Sequence, residues 1–330
     1  MALSSIVFIV LGEDPLAIYS SIAVGSIGTP YGLSETLIET TPLLLIALGL
    51  CIAFRAKFWN IGAEGQYIMG AIVATPLALS LGNLPYLAIP VVLAASAVAG
   101  GAYGAVAGFL KARLGVNEII TTLMMNFIAI EFLSYLTWGP LMGTLGKAGG
   151  FSKSGQPLSD PMPLTTQLPK LFDLAELRIH AGIILAVALA VVTYIFLVRT
   201  SWGYQIRVLG SNPEAARYAG MNTQKLMLIV SFLSGALAGL AGAVVLLGTA
   251  HRLAERFATG YGYTAIMVTL LGRSNPLGMI FSSFFVAGLS TGANFMYRTV
   301  GLPIFIVNVI VGLILVVMLG IDAASRLRTG

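Results

Sequence analysis

Charge is what this sequence has least of. Lysine, arginine, aspartate and glutamate make up only 9% of 330 residues, against roughly 25% in soluble domains, which excludes a water-soluble globular chain. The single cysteine, Cys51, excludes an intrachain disulfide and reads as a buried packing residue. Two histidines, His180 and His251, stand in sequence without cysteine or acidic residues at ligand spacing, so no metal site is expected. A G-x-x-x-x-G-K-[ST] phosphate loop is absent, since alanine follows Gly146-Lys147; any ATP is therefore bound by another chain. The net charge of +5 is scattered over short loops, and without a basic stripe there is no nucleic-acid partner to expect.

What the sequence has is apolar length. Its residues are 57% hydrophobic, and a hydrocarbon core of ~30 Å needs about 20 consecutive apolar residues. Such windows fall near 36–54, 66–82, 84–110, 117–138, 179–198, 226–249, 261–272, 276–296 and 300–320, with an apolar stub at 2–11. The stub has neither a basic flank nor a small-residue cleavage site, so it reads as a short first helix and not as a signal peptide. Segment 261–272 is short and follows Gly260 and Gly262, which suggests a tilted or re-entrant piece. The expected fold is all-α: one polytopic membrane domain over 1–330, with about ten transmembrane helices, lipid around it, and short re-entrant or broken helices.

Basic residues in short loops set the orientation. With the N-terminus in the cytoplasm, Arg55, Lys57, Lys111, Arg113, Arg199, Arg207, Arg217, Lys225, Arg273, Arg326 and Arg328 all fall inside. The chain is then a multi-pass protein of the cell membrane with both termini cytoplasmic.

The stretch Phe54-Arg-Ala-Lys-Phe-Trp-Asn-Ile-Gly-Ala-Glu-Gly-Gln66 places a carboxylate, two amides and two glycines between long apolar segments. Polar groups at membrane depth cost about 2.5–3.5 kcal/mol on insertion scales and usually face a bundle interior or a water-filled path. Unwound backbone is tolerated there only when protein or a cavity surrounds it. Ala258-Thr-Gly-Tyr-Gly-Tyr263 is a second such elbow. The first starts from the inside and the second from the outside, as two inverted repeats, near 36–138 and 226–320, would give.

Glu118, Thr122 and Asn126 are four residues apart and share one helix face. They read as a polar stripe along a route. Equally, Asn117 and Glu118 cap the helix, with Thr122 and Asn126 joining neighbouring helices. Between 199 and 225, Asn212 can cap a short helix with Pro213 at its first position, then Glu214, Ala215, Ala216, Arg217 and Tyr218 run to a stop at Gly220. Its small alanines allow close approach by another protein, with Tyr218 as an anchor; the plainer reading is a connector helix lying on the surface. The exterior loop 139–178 is longer than ordinary connections and reads as a docking surface or a partly ordered linker.

Several of these stretches resemble a known family. Phe58-Trp-Asn-Ile-Gly-Ala-Glu-Gly-Gln66, Asn117-Glu-Ile-Ile-Thr-Thr-Leu-Met-Met-Asn126, Gly210-Ser-Asn-Pro-Glu-Ala-Ala-Arg-Tyr-Ala-Gly220, Ser234-Gly-Ala-Leu-Ala-Gly-Leu-Ala-Gly242 and Ala265-Ile-Met-Val-Thr-Leu-Leu-Gly-Arg273 are similar to permease subunits of prokaryotic ABC importers for nucleosides and simple sugars. The similarity runs from about residue 13 to 321. It implies a permease paired with a second, non-identical permease, fed by an exterior substrate-binding lipoprotein and driven by a cytoplasmic ATPase that alone holds the ATP. By the same resemblance, Asn212 to Gly220 would form the helix that couples to the ATPase, and Asn60, Glu64, Gln66 and Asn126 would lie at the substrate path. Thr122, on the same stripe, joins them, and Tyr261, with Trp59, Tyr67 and Tyr263, could stack on a ring. Two features depart from the family: a shorter first helix, and Trp59 where a smaller residue is common.

Two other classes compete. An ion-coupled secondary transporter would use Glu64 or Glu131 as a proton site. A membrane enzyme would need a nucleophile with a base, or a metal cluster, and the sequence shows neither.

Overall fold

The structure, a computed structural model, describes residues 15–84, 87–138, 158–172, 177–300 and 312. The expected stub at 2–11, the body of segment 300–320, and Arg326 and Arg328 lie outside the described residues. In chain order the helices are α1 (Pro15–Ala23), α2 (Pro30–Arg55), α3 (Ala63–Ser80), α4 (Ala88–Leu114), α5 (Glu118–Trp138), α6 (Gly182–Arg199), α7 (Ser201–Ser211), α8 (Pro213–Tyr218), α9 (Thr223–Val245), α10 (Tyr261–Leu271) and α11 (Pro276–Val300). Wider π turns follow α1 at Val24–Gly28 and α9 at Leu246–Ala250. Among the described residues there is no strand, so the fold is all-α and polytopic, with six helices long and apolar enough to cross a membrane: α2, α4, α5, α6, α9 and α11.

Helix α2 is the hub. Thr29 caps it by accepting a hydrogen bond from Gly32 N at 2.9 Å, and Pro30 takes its first position, where a missing N–H costs nothing. Its most apolar window is 83% buried, against 28% for α4 and α6. A window that is apolar all round has no lipid-facing stripe to select and belongs at the centre.

Around the hub, α3, α4 and α9 meet backbone to backbone. A Cβ on Gly70 would overlap the Gly239 carbonyl oxygen, one on Gly100 that of Gly235, and one on Gly242 that of Tyr67. Lipid tails give apolar helices no net reason to associate, so close approach through small residues supplies the dispersion contact that holds them.

Two ends can be told apart. The basic end carries Arg55, Lys111, Arg199 and Arg273 at helix termini. At the opposite, long-loop end, the described part of the 139–178 connection is packed cover. Ser159 N donates to Leu253 O (2.7 Å), Met162 N to His251 O (2.9 Å) and Leu168 N to Leu247 O (3.0 Å). Met162, Thr166 and Leu168 are buried beneath it.

Two helices depart from the sequence expectation. Helix α1 has nine residues, too few for a spanning window. Helix α7 falls in a stretch read as loop because Gly203 and Gly210 interrupt it. Both glycines are contact points: a Cβ on Gly203 would overlap the Phe196 carbonyl oxygen, and one on Gly210 that of Arg55.

Candidate functional site

The first elbow starts where α2 ends. Arg55 donates from Nε and Nη2 to Ser274 O (3.1 and 2.9 Å), and the Cys51 thiol donates to the same oxygen (3.0 Å). Cys51 is thus buried, as expected, but also tied to the α10–α11 turn. Lys57 takes a left-handed φ of 54° and reverses the chain, Phe58 is fully buried, and Trp59 to Gly62 run back into the bundle without helical bonds before α3 begins.

Four of the six expected path residues form one buried network there. Asn60 Nδ2 donates to Gln66 Oε1 (2.8 Å) and Ser234 Oγ (2.9 Å), while its Oδ1 accepts from Gly62 N (3.0 Å) and Gln66 Nε2 (3.1 Å). Asn126 Oδ1 accepts from Gly65 N (2.8 Å), and its Nδ2 donates to Ile61 O (2.8 Å) and Tyr263 Oη (3.1 Å). Thr122 Oγ1 accepts from Ile61 N (3.1 Å) and donates to Glu118 O (2.6 Å). These side chains supply the unwound backbone with the partners water would give it in solution. Asn126 lies eight residues beyond Glu118 along α5, about 12 Å at 1.5 Å per residue, so the network sits well inside the helical layer.

The second elbow arrives from the long-loop end and meets the first. Gly260, left-handed at φ 84°, precedes α10. Glu64 Oε1 accepts from Gly260 N (2.9 Å) and Oε2 from Gly262 N (2.6 Å). One carboxylate therefore stands in the first turn of α3 and caps the start of α10, where both helix dipoles favour negative charge. Helix α10 has eleven residues, about 16 Å of rise, or half a hydrocarbon core. Gly262 is forced by this contact, since a Cβ there would overlap the Glu64 backbone. Tyr261 lies beside the junction, 6.0 Å from Tyr67 edge to face, with Phe257 stacked on Tyr67's ring at 5.1 Å.

The remaining polar candidates separate. Glu118 pairs with Lys111 at the basic end, while Asn117 caps α5 by accepting from Ile119 N at 2.9 Å. Glu131 is exposed on the outer face of α5, away from the elbows. Sequence reading missed Ser234 and Tyr263 as network members, because one looked like part of a packing glycine run and the other like a generic aromatic.

The short helix expected from Asn212 to Gly220 forms as α8. Asn212 Oδ1 accepts from Glu214 N (2.9 Å) and Ala215 N (3.1 Å), Pro213 opens it, and Gly220 follows it in a left-handed turn at φ 77°. Ala216 is buried against the protein, whereas Tyr218 is 93% exposed. Glu214, Ala215 and Arg217 are exposed with it.

His180 and His251, isolated in sequence, come together at the long-loop end. Gly182 N donates to His180 Nδ1 at 3.1 Å, which requires the proton on Nε2, 3.4 Å from Thr249 Oγ1. Burial first, and then the nearby His251, push the His180 imidazole down from 6.5 to about 4. Between those values the unfolded chain binds more protons, so the stability is complete above about pH 6.5 and is lost as pH falls towards 4. We expect the detergent-purified protein to melt at lower temperature at pH 5 than at pH 7.5, by an amount equivalent to roughly 1–3 kcal/mol. His180→Asn, which keeps an acceptor for Gly182 N, should flatten that dependence; a wild-type melt independent of pH would count against it.

The family profile described as branched-chain amino acid transport system / permease component matches residues 32–319. The chain belongs to this permease family. It is 34% identical to a glucose ABC transporter permease protein of Haloferax volcanii, over 100% of this chain and 87% of that protein. It is also 34% identical to a guanosine ABC transporter permease protein of Bacillus subtilis, over 96% of this chain and 88% of that one. A second guanosine permease protein of Bacillus subtilis is 28% identical over 76% of this chain and 77% of its own length. No solved structure matches. This family forms the membrane path of an ABC importer; its members are transport components, not enzymes.

Proposed function

We propose that this permease carries nucleosides or simple sugars inward through the cell membrane, with a cytoplasmic ATPase supplying the energy. The membrane permease role follows from the family; the substrate class rests on relatives named for glucose and guanosine. The observation that carries the coupling is α8, a capped helix projecting Tyr218 from the basic end. The excess of basic residues makes that end cytoplasmic, so α8 faces the side where ATP is. Ten crossings with both termini inside complete this topology. The two elbows, entering from opposite ends and meeting at Glu64, favour inverted repeats about a central route.

An exterior binding protein delivers the solute to the long-loop end, and the ATPase acts on α8 from the other side. The pathway then opens by rocking of the permease against a second one. Two guanosine permease proteins from one organism match this chain, which supports a non-identical partner. Asn60, Glu64, Gln66, Thr122 and Asn126 keep the unwound stretch before α3 intact beside the route, and Tyr261 borders it.

The test is uptake of labelled guanosine and glucose into proteoliposomes holding this chain with its ATPase, second permease and binding protein. Accumulation that needs both ATP and the binding protein is the expected result. Uptake by this chain alone, driven by a proton gradient, would replace the importer with an ion-coupled carrier.

A further inference from the structure

We propose that a cavity between α2, α11 and the π turn after α1, at the long-loop end of a single protomer, binds a neutral hydroxylated ring: a sugar, or the ribose of a nucleoside. The ligand class rests on the uptake reading above; the site itself rests on geometry. The cavity has a volume of about 220 Å³. Tyr31, Glu35 and Glu39 line one wall, four residues apart on α2, and Thr291, Asn294 and Arg298 line the other on α11. Each set shares one helix face, so two polar stripes oppose each other between otherwise apolar helices.

The two carboxylates are not equivalent. Glu35 is consumed, because Arg178 donates to it from Nε (2.9 Å) and Nη2 (2.7 Å). Glu39, one turn deeper and half-buried, has no hydrogen bond or ion pair among the described residues. Across from it, the Thr291 hydroxyl is buried with no hydrogen-bond partner, and the residue is only 8% exposed. Unsatisfied buried polar groups are costly, and a carboxylate at this depth more so, so both point to a guest that completes them.

The guest's chemistry follows from the donors and acceptors. Glu39 can accept from two adjacent hydroxyls, Thr291 can donate or accept, and Arg298 and Asn294 offer donors nearer the rim. Glu39 and Arg298 offset each other in formal charge, so a ligand of no net charge suits the cavity. Phe295 supplies an apolar face, and it fits against the π turn after α1 only because Gly25 carries no Cβ to overlap it.

The experiment uses the complete importer in nanodiscs, without ATP and without the binding protein. Binding of tritiated ribose, glucose and uridine is read by scintillation proximity. Glu39→Gln and Thr291→Val should each weaken the bound probe about tenfold, the scale expected for a lost hydrogen bond to a charged or buried group. Thr291→Val should leave the melting temperature unchanged or raise it, since its hydroxyl makes no bond within the protein. No binding of any probe to the wild type, or unchanged binding in both variants, would overturn the site. ATP-driven uptake by the same complex, reconstituted into proteoliposomes with the binding protein, keeps the two readings apart. Intact uptake without binding removes the cavity alone, and binding without ATP-driven uptake removes the importer reading and leaves the cavity.

Discussion

Glu64→Ala should melt at markedly lower temperature than the wild type and yield little folded permease, because it uncaps α10 and orphans two backbone N–H groups together, one buried and one part-buried. Each unsatisfied donor costs about 1–3 kcal/mol, and the lost interaction with two helix N-termini adds to that. A total of about 3 kcal/mol or more is a large share of the stability of an ordinary domain. Glu64→Gln should be milder but not silent. Its amide oxygen can still accept from Gly260 N or Gly262 N, but its NH₂ group must face the other donor. Thermal melting in detergent, read beside uptake, separates two roles for this residue. If Glu64 chiefly touched the solute, both variants would melt like the wild type and fail only in transport; that result would remove the cap as its main duty.

Tyr218→Asp should abolish coupling while sparing the fold. Tyr218 stands 93% exposed on a six-residue helix whose inward contact is Ala216, and surface changes away from special features usually stay within about 0.5 kcal/mol. The carboxylate removes an aromatic anchor of the kind that dominates protein interfaces and puts negative charge at a helix C-terminus, where it is disfavoured. We expect unchanged melting, basal ATP hydrolysis near normal, and uptake reduced at least about tenfold, equivalent to ~1.4 kcal/mol of interface energy. Wild-type uptake at wild-type expression would show that α8 is a connector with no partner.

The sequence made the long helices legible because apolar length has few explanations. Expected 117–138 became Glu118–Trp138, and expected 179–198 became Gly182–Arg199. The cap of α8 was legible for a similar reason, since Asn-Pro-Glu before a run ending in glycine specifies a helix locally. Contacts between distant segments were not. Glu64 and Gly260 are 196 residues apart, and nothing in either elbow names the other. Glu35 and Glu39 were hidden differently: Glu35 lies just before the expected start of the 36–54 segment and Glu39 just inside it, so neither looked like half of a polar stripe. The partner stripe on α11 is made of residues that each look ordinary near a helix end. The His180 pocket required a loop to fold back on the bundle, which composition does not disclose.

The glycine seam joining α3, α4 and α9 has a genetic consequence. Every single-base change in a glycine codon that alters the residue gives a larger one or a stop. Gly70, Gly100, Gly235, Gly239 and Gly242 are each met by a neighbouring backbone, so no side chain can swing aside to admit a new Cβ. Stepwise drift at these five positions is closed, and a compensating change would have to shift a whole helix. Variation in this permease should avoid the seam. Viable chimaeras with its relatives should therefore exchange the three helices as one block.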